Sequence, residues 1–447
     1  MSETAASSSL AAVKKVLSAH SAIGLVVSAL LYIVCVTGAV SVLYPELQRL
    51  EQPNAPEMTS IAPGMVQKAV ENVLTQERAA GVAPTTHLYV HLPAEDLPRT
   101  TITTDSGAVH IDRDGSIAMP EQIAWSDFLI ALHYTLSLPS IWGLTLVGVL
   151  GVMLIALAMT GVVALPRIFR DAFRLKARSG SGVALADWHN RLSTWTLPFA
   201  LALGFTGAAI GLGSIGAWTI AKVDYDGDTQ AVFSSIFGEE RAGRKSFTGM
   251  PDVAGPLSQM QSNYPDVLPT YAILHDPLQP GQHVQVVAEH SRRLIFGEYY
   301  EFDAEGNFRG TAGLADGDIG RQAAASNYKL HFGNFGGLPV KIAYLVFGAA
   351  LSVVCATGMF IWLAKRRRKG HVEPALHAAW HGVVWGCPAM LLATAFARIT
   401  LGNDAPFIAI FWVGLGLTIT LSALWGMRNK LKPGPSSERD RCTKIST

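Results

Sequence analysis

Residues 23–43 read IGLVVSALLYIVCVTGAVSVL, an apolar stretch without a charged side chain. Roughly 20 such residues suffice to cross the hydrocarbon core of a bilayer as a helix. Five more stretches have the same character, namely residues 141–165, 192–220, 342–364, 375–397 and 406–427. Pro388 interrupts the fifth stretch of the six, whose only ionisable groups besides one cysteine are histidines. The sequence therefore predicts a mainly α membrane protein with six transmembrane helices.

The composition agrees with this prediction. Hydrophobic residues make up 49% of the 447 residues and charged residues only 15%, whereas soluble proteins carry about 25% charged residues. An ordinary water-soluble enzyme is therefore excluded, as is a disordered or fibrous chain. The formal net charge of +1 argues against a nucleic-acid binder, which needs an excess of basic residues. The 4 cysteines do not form a disulfide framework.

Basic residues between the spans predict the orientation, because cytoplasmic loops are enriched in Lys and Arg. Such clusters precede the first span, separate the second from the third, and follow the fourth and the sixth. They are Lys14, Lys15, Arg167, Arg170, Arg174, Lys176, Arg178, residues 365–369, Arg428, Lys430 and Lys432. With an even number of spans, all clusters lie on one side. We expect a protein of the bacterial inner membrane with both termini cytoplasmic, anchored by its uncleaved first apolar run.

The chain is thereby divided into segments that alternate across the membrane. We expect cytoplasmic segments at residues 1–16, 166–186, 365–374 and 428–447. Membrane segments are expected at residues 17–44, 126–165, 187–220, 331–364, 375–397 and 406–427, where 126–165 and 331–364 each begin at the outer edge. Two periplasmic modules occupy residues 45–125 and 221–330.

Both periplasmic segments have the pattern of one helix followed by strands. In the first module we predict a helix at residues 63–80 and strands at 87–92, 99–104 and 108–112. In the second we predict a helix at 252–262 and strands at 270–275, 283–290 and 298–303. Similar turn sequences, IDRDG at 111–115 and FDAEG at 302–306, follow the third strand of each. The sequence thus predicts two α+β modules of the same order.

The membrane segments repeat as well. His20 precedes Gly38 of a Thr-Gly pair by 18 residues, and His189 precedes Gly207 of another pair by the same 18. A matching periodicity over a whole unit is the sequence signature of an internal repeat.

A second histidine in each copy follows a leucine. His133 precedes Gly161 of a Thr-Gly pair by 28 residues, and His331 precedes Gly358 of another by 27. The chain therefore contains two copies of one two-span unit, at residues 15–165 and 185–364. The fifth and sixth spans lie outside the repeat.

Four histidines thus occupy equivalent places at membrane helices, where an ionisable side chain marks a candidate functional site. His20 and His189 lie near the inner ends of their spans, and His133 and His331 near the outer ends. Histidines on opposed helices can clamp one haem iron. At ~1.5 Å per residue the two levels are about 25 Å apart, too far for one macrocycle. We predict two non-covalent bis-His b-type haems, with no catalytic group beyond these ligands.

Other residues complete the predicted sites. Gly38 and Gly207 reach the level of the outer histidines, and Gly161 and Gly358 that of the inner ones, where glycine admits a flat cofactor or close helix packing. Candidate partners of the haem propionates are Lys14, Arg191 and Lys329. Aromatic residues near the outer histidines form either a substrate-docking floor or an interfacial belt: Trp125, Tyr134, Trp142, Tyr328, Phe332 and Phe335.

Blander interpretations compete with this one. Histidines at a membrane boundary are often merely interfacial, and glycines in membrane helices often serve packing. Transport of zinc or copper also uses histidines, but usually with carboxylates or thiolates near the midplane. The spans lack Asp and Glu, and we expect Cys35 and Cys355 to be too scattered to form a metal path. His377 and His381 share one helix face and either hold a further cofactor or only pack there.

At these motifs the chain resembles the PepSY-associated transmembrane family, of the iron-regulated inner-membrane PiuB and FoxB type. The resemblance covers about residues 15–370. It rests on His20 with Thr37-Gly38, Leu132-His133 with Thr160-Gly161, Trp188-His189 with Thr206-Gly207, and Leu330-His331-Phe332-Gly333 with Thr357-Gly358 and Ile361-Trp362-Leu363. The two spans after residue 370 depart from it.

The resemblance implies a di-haem ferric-siderophore reductase with PepSY-like periplasmic modules. Electrons would enter from a cytoplasmic donor, a reduced flavin, a flavoprotein or a quinol, and leave to a periplasmic Fe(III) complex. Reduction to Fe(II) weakens the complex, because siderophore oxygen ligands favour the harder ferric ion. The alternatives are a non-catalytic, sensory membrane protein whose modules bind peptides, and a siderophore or metal permease. The oligomeric state stays open.

Overall fold

The computed structural model describes residues 3–165, 168–171, 181–238, 247–291 and 293–430. Several members of the predicted basic clusters lie outside these ranges, namely Arg167, Arg174, Lys176, Arg178 and Lys432. The contacts between residues divide the chain into two compact units. The helix unit comprises Met1–Ser41, Asp127–Ala208 and Ile342–Thr447, and the sheet unit comprises Val42–Ser126 and Ala209–Lys341.

The described residues form helices and strands in the following order. The helices are α1 (Glu3–Ser41), α2 (Tyr44–Glu51), α3 (Pro63–Ala79), α4 (Ala124–Thr135), α5 (Ser140–Ala164), α6 (Ile168–Asp171), α7 (Ser181–Trp195), α8 (Leu197–Asp224), α9 (Thr229–Phe237), α10 (Ala254–Asn263), α11 (Ile319–Phe332), α12 (Gly337–Arg368), α13 (Pro374–Leu401) and α14 (Phe407–Lys430). The strands are β1 (His87–His91), β2 (Thr100–Thr104), β3 (Gly107–Ile111), β4 (Ile117–Pro120), β5 (Val267–His275), β6 (His283–His290), β7 (Glu298–Asp303) and β8 (Phe308–Thr311).

Six of these helices, α1, α5, α8, α12, α13 and α14, are long and apolar enough to cross a membrane. The predicted set of six membrane helices is therefore confirmed, and the chain is a multi-pass membrane protein. Pro388 does not interrupt the fifth of them, because α13 continues through it.

The third predicted span differs from the prediction, because it is two helices rather than one. α7 ends at Trp195 and α8 begins at Leu197. Pro198 explains the break: its ring displaces the preceding turn, and it has no N–H to donate to a carbonyl four residues earlier. His189 therefore lies on a short helix of its own, before the membrane-length helix begins.

Packing contacts join the helices outside the repeat to the others of the helix unit. The Tyr32 hydroxyl of α1 donates to the Val384 carbonyl of α13 at 2.8 Å. The Trp380 indole of α13 donates to the Ala356 carbonyl of α12 at 3.0 Å. In α14, Phe411 is fully buried and its ring centroid lies 6.2 Å from that of Phe128 in α4. α13 and α14 are therefore part of the same bundle as the repeated spans.

Cys35 and Cys355 also meet in this bundle. Their sulfur atoms lie 4.0 Å apart, across α1 and α12. The expectation that these two cysteines are scattered was wrong, because two residues 320 positions apart in sequence are neighbours once the helices pack.

The strands of the sheet unit form one antiparallel sheet of eight strands in the order β4-β3-β2-β1-β5-β6-β7-β8. The two predicted modules are joined where β1 pairs with β5, with Tyr89 opposite Ile273 and His91 opposite Tyr271. Each half keeps the predicted helix and three strands, and adds a short fourth strand, β4 or β8, that the sequence pattern did not indicate. The modules are therefore two halves of one sheet.

One hydrophobic core lies between the sheet and the two helices α3 and α10. Apolar side chains of α3 recur at helical spacing, and Val66 and Val70 are fully buried. Leu257 and Met260 of α10 belong to the same cluster, together with inward-facing strand residues such as Leu88 and Val286. A single core shared by both halves makes the sheet unit one cooperative structure.

Candidate functional site

The His20 ring, in the middle of α1, is held by α5. Its Nδ1 atom lies 3.1 Å from the Leu157 carbonyl oxygen and 3.0 Å from the Thr160 hydroxyl. The Thr160 hydroxyl donates its own hydrogen to the Ala156 carbonyl within the helix, at 2.6 Å, so its oxygen accepts from the histidine. The Leu157 carbonyl and the Thr160 hydroxyl, three residues apart on α5, thus both accept from the one imidazole N–H.

The second copy of the repeat holds His189 in the same way. Its Nδ1 atom lies 3.0 Å from the Thr357 hydroxyl of α12, and it bonds to the Val354 backbone. The Thr357 hydroxyl donates to the Val353 carbonyl at 2.7 Å. His20 is among the neighbours with which the His189 ring interacts electrostatically. The His189 ring therefore lies within electrostatic range of His20, the histidine with which the repeat pairs it.

The His133 ring, on α4, is held by α1. Its Nδ1 atom lies 3.0 Å from the Val34 carbonyl oxygen and 3.5 Å from the hydroxyl of Thr37, which is fully buried. Thr37 donates to the Ile33 carbonyl at 2.8 Å. Three of the four repeat histidines thus share one environment, built from the Thr-Gly helix of the other span.

These hydrogen bonds assign the tautomer of the rings. A carbonyl oxygen can only accept, so Nδ1 of His20 and of His133 carries the hydrogen. In a neutral imidazole the lone pair is then on Nε2, the nitrogen on the far side of the ring. Metal-bound histidines are usually oriented by this kind of hydrogen bond, which fixes the ring and raises its basicity.

The glycines of three Thr-Gly pairs lie against an imidazole ring, and Gly38 is the one where a side chain would collide with it. A Cβ built on Gly38 would lie 2.6 Å from Cε1 of His133. The corresponding distance is 3.4 Å from Gly358 to His189 and 3.6 Å from Gly161 to His20. The histidine ring is thus the group that approaches these three glycines, and their roles in admitting a cofactor face or close helix packing stay predictions.

His331 lies on α11 in the sheet unit. The Asp318 side chain caps the start of this helix by accepting from the Arg321 N–H at 2.9 Å. Gly333 ends it in the left-handed conformation, with φ of 69°. The His331 ring packs edge-on against Phe332 at 5.9 Å. The pairing of His331 with His133 stays a prediction from the repeat.

Two of the predicted propionate partners already have carboxylate partners. Arg191 is buried, and its Nε donates to Asp187 at 2.9 Å. Lys329 is buried and lies 2.6 Å from Glu289. Lys14 lies on α1 and lines a cleft with α12. A charge-compensated cation can still orient a ligand, but it offers less net attraction than a free one.

The predicted aromatic residues are divided between the two units. Tyr134 and Trp142 lie in the helix unit, where the Trp142 side chain is 72% exposed. The others lie in the sheet unit: Trp125, Tyr328, Phe332 and Phe335. Tyr328 and Phe332 stack with their ring centroids 6.1 Å apart.

His377 and His381, both exposed, lie one helical turn apart on α13 with ring centroids at 4.9 Å. Both contact Phe360 of α12, at 5.7 and 4.7 Å. These contacts show packing between α12 and α13 and do not resemble the hydrogen-bonded setting of the repeat histidines.

The helix bundle defines an integral membrane protein with a repeated two-span unit. Three of its repeat histidines are held by the Thr-Gly helix of another span. Residues 17–365 match the family described as the PepSY-associated TM region. The chain belongs to this family, which covers both copies of the repeat and excludes α13 and α14.

The chain is similar to an uncharacterized protein of Pseudomonas aeruginosa, which is 27% identical over 253 residues. The match covers 54% of this chain and 64% of that protein. The chain thus spans somewhat less than two thirds of the relative it matches.

The donor set fits haem. Each of the three rings donates from Nδ1 to a second helix, which fixes it and leaves Nε2 of its neutral form available, as an axial haem ligand requires. Sequence reasoning found the histidines, threonines and glycines by their spacing. It missed the carbonyls of Val34 and Leu157, because every helical residue has a carbonyl and no sequence signal marks those that a partner will use.

Proposed function

We propose that this protein is a di-haem oxidoreductase of the inner membrane that transfers electrons from a cytoplasmic donor to a periplasmic ferric-siderophore. The observation that carries the proposal is the shared setting of His20, His133 and His189. Each donates Nδ1–H to a Thr-Gly helix, which leaves the ligand lone pair on Nε2. A merely interfacial histidine has no need for such a matched setting.

Four residues would hold the cofactors, His20 with His189 and His133 with His331. Haem, when bound, supplies one-electron redox chemistry at its iron. The protein's own residues fix the imidazole planes by the hydrogen bonds of Nδ1. Thr160 and Thr357 stabilise the rings in the ligating tautomer, and the glycines let them approach the helix. Both termini would be cytoplasmic, with the sheet unit in the periplasm.

The ferric complex is the substrate. Its reduction to Fe(II) by one electron would lower the affinity of hard oxygen ligands for the metal and so release it. The exposed aromatic side chains of Tyr328 and Phe332 support a docking role for the sheet unit, since aromatic surfaces suit organic chelates.

The test is a reduced-minus-oxidised absorption spectrum of the purified protein. We expect a b-type spectrum with about two haems per chain. His20→Ala and His331→Ala should each remove one haem, and His87→Ala, a control on the sheet, should remove none. A folded but colourless protein would overturn the proposal and favour a non-catalytic peptide-binding protein or a permease. A haem protein that ferric-siderophore does not reoxidise would keep the electron path and overturn the substrate.

A further inference from the structure

A cleft of about 420 Å³ opens between residues 14–21 of α1 and the end of α12. Cationic side chains line it, namely Lys14, Lys365, Arg366 and Lys369, and His371 lines it on the turn that follows α12. Trp362, Ser18 and Ser21 complete the wall, and none of the lining residues is acidic. A concave site of this size, with an aromatic face and clustered cations, suits a small anionic ligand.

The cleft adjoins the first histidine pair. Ser21 follows His20 directly on α1. Trp362 lies one helical turn, about 6 Å, beyond Gly358, and Gly358 is the residue against which His189 packs. A ligand in the cleft would therefore be within electron-transfer reach of a group held by His20 and His189.

Arg366 in the wall of the cleft has a hydrogen-bond donor without a partner in the protein. Its guanidinium forms an ion pair with Glu373 and lies over the Trp362 ring at 5.0 Å. Its Nε atom is nevertheless buried without a hydrogen-bond partner. A buried donor without an acceptor costs free energy that a bound anion would recover.

The cationic and aromatic side chains of the cleft favour one class of electron donor over the others. A quinol has no anionic group for the four permanent cations, and a nicotinamide nucleotide gives up a hydride rather than single electrons. A flavin mononucleotide has a phosphate for Lys and Arg and a flat ring system for Trp362, and its reduced form gives up electrons singly.

We propose that this cleft binds reduced flavin mononucleotide as the electron donor, an inference that rests on the proposed function. The flavin hydroquinone becomes oxidised flavin by giving up two electrons and two protons. The haem that His20 and His189 would hold would accept these electrons one at a time, and the protons would go to solvent. The cations hold the phosphate, and Trp362 stacks on the ring.

Binding is measured first, by flavin fluorescence with the full-length protein in phosphatidylcholine nanodiscs. We expect FMN to bind and riboflavin, which lacks the phosphate, to bind at least about tenfold more weakly. Lys365→Gln with Lys369→Gln should weaken FMN binding by about tenfold or more and leave riboflavin unchanged. The matched control is Lys222→Gln, because Lys222 lies over Trp218 at 3.9 Å on another helix and should have no effect.

Reduction and haem content are then measured on the same samples. Reduced FMN should reduce the haem faster than reduced riboflavin, while dithionite should reduce both wild type and variant fully. Equal binding of FMN and riboflavin would overturn the proposal. Competition by cardiolipin as strong as by FMN would show a lipid-headgroup site instead. Loss of haem in the lysine variant would show that the cleft holds the propionates.

The two proposals fail in distinguishable ways. A colourless protein that binds FMN would overturn the haem assignment but not the FMN site. A haem protein that dithionite reduces, and that does not bind FMN, would overturn the FMN site alone.

Discussion

His20 in the first copy of the repeat and His189 in the second are held by the same contacts but are carried by different backbones. The Nδ1 atom of each lies 3.0 Å from a threonine of the partner helix. His20 is an interior residue of the continuous helix α1, whereas His189 lies on α7, which ends before the break at Thr196. The two copies therefore share the hydrogen-bonded position of the imidazole ring, which we call the ring setting. An unbroken helix is not required for it.

The two halves of the sheet differ in their buried polar groups. In the first half, His110 bonds to Thr101 at 3.0 Å and to Gln52 at 3.1 Å. In the second half, Gln285 connects His275 and Glu301, at 2.8 and 2.7 Å. The first half thus relies on a neutral histidine, and the second on a chain of polar groups that ends in a carboxylate.

The largest effect is expected from Gly38→Ala. The added methyl would lie 2.6 Å from Cε1 of His133, closer than any real contact, so the ring must move. We expect the loss of one haem per chain and a destabilisation of about 1–3 kcal/mol. Haem content and the thermal unfolding midpoint in detergent measure it.

The same glycine-to-alanine substitution in two other Thr-Gly pairs should lower haem occupancy to different degrees. Gly358→Ala, at 3.4 Å, should lower haem occupancy less, and Gly161→Ala, at 3.6 Å, least. Gly416→Ala is the control, because no atom lies within 4 Å of its Cβ. If Gly38→Ala keeps its full haem content, the position of the His133 ring against Gly38 is not needed for haem binding, and the proposed haem site is contradicted.

A smaller effect is expected from removing the hydroxyls. Thr160→Val and Thr357→Val delete an acceptor at 3.0 Å from Nδ1, and such partners typically contribute 10- to 100-fold in metal affinity. Thr37→Val deletes one at 3.5 Å and should change haem affinity less. Apparent haem affinity from titration is the measurement. The threonine-to-serine variants keep the hydroxyl and should behave as wild type; equal losses in serine and valine variants would point to packing instead.

The pH dependence of stability should differ between the halves of the sheet. Burial, reinforced by nearby Arg99, lowers the pKa of His110 from 6.5 to about 4. Between these values the unfolded chain binds a proton that the folded chain does not, so unfolding becomes easier as pH falls. We expect His110→Gln to remove on the order of 2 kcal/mol of this dependence.

Denaturation at pH 7.5 and at pH 4.5 measures that difference. Burial also lowers the pKa of His91 to about 4, so some pH dependence should remain in the variant. An unchanged difference between the two pH values in His110→Gln would show that the first half does not depend on a neutral His110.

The smallest effect is expected from Pro198→Ala. Proline is well tolerated in the first turn of a helix, where its N–H would have no partner within α8, so its replacement should change stability by less than about 0.5 kcal/mol. Haem content should also stay constant. If Pro198→Ala lowers haem occupancy, the helix break positions His189, and the ring setting alone is insufficient.

The features that the sequence predicted are the ones written in local patterns. Apolar run length predicted the six membrane helices, and alternation predicted β6 and β7 with their observed ends. The sequence pattern did not predict the two short strands β4 and β8, whose sequences are IAMP and FRGT. Proline and glycine are typical of edge strands, where the usual alternation is weak.

The contacts that the sequence did not predict join residues distant along the chain. The pairing of β1 with β5 and the approach of Cys35 to Cys355 depend on how whole elements pack. Thr-Gly spacing located the candidate site, but its contacts showed that the glycine faces an imidazole. The repeat predicted which residues are equivalent, and only the packing assigned their roles.

The shared edge between β1 and β5 has a consequence for the number of molecules that the fold requires. A chain with a single copy of the repeat would expose β1 as an unpaired edge, which readily pairs with another chain. Such a half-length protein would need a second molecule to complete its sheet, and its folding would depend on protein concentration. With both copies in one chain, this contact forms within a single molecule. The two histidine sets of one chain can also differ from each other, whereas those of identical subunits in a dimer cannot.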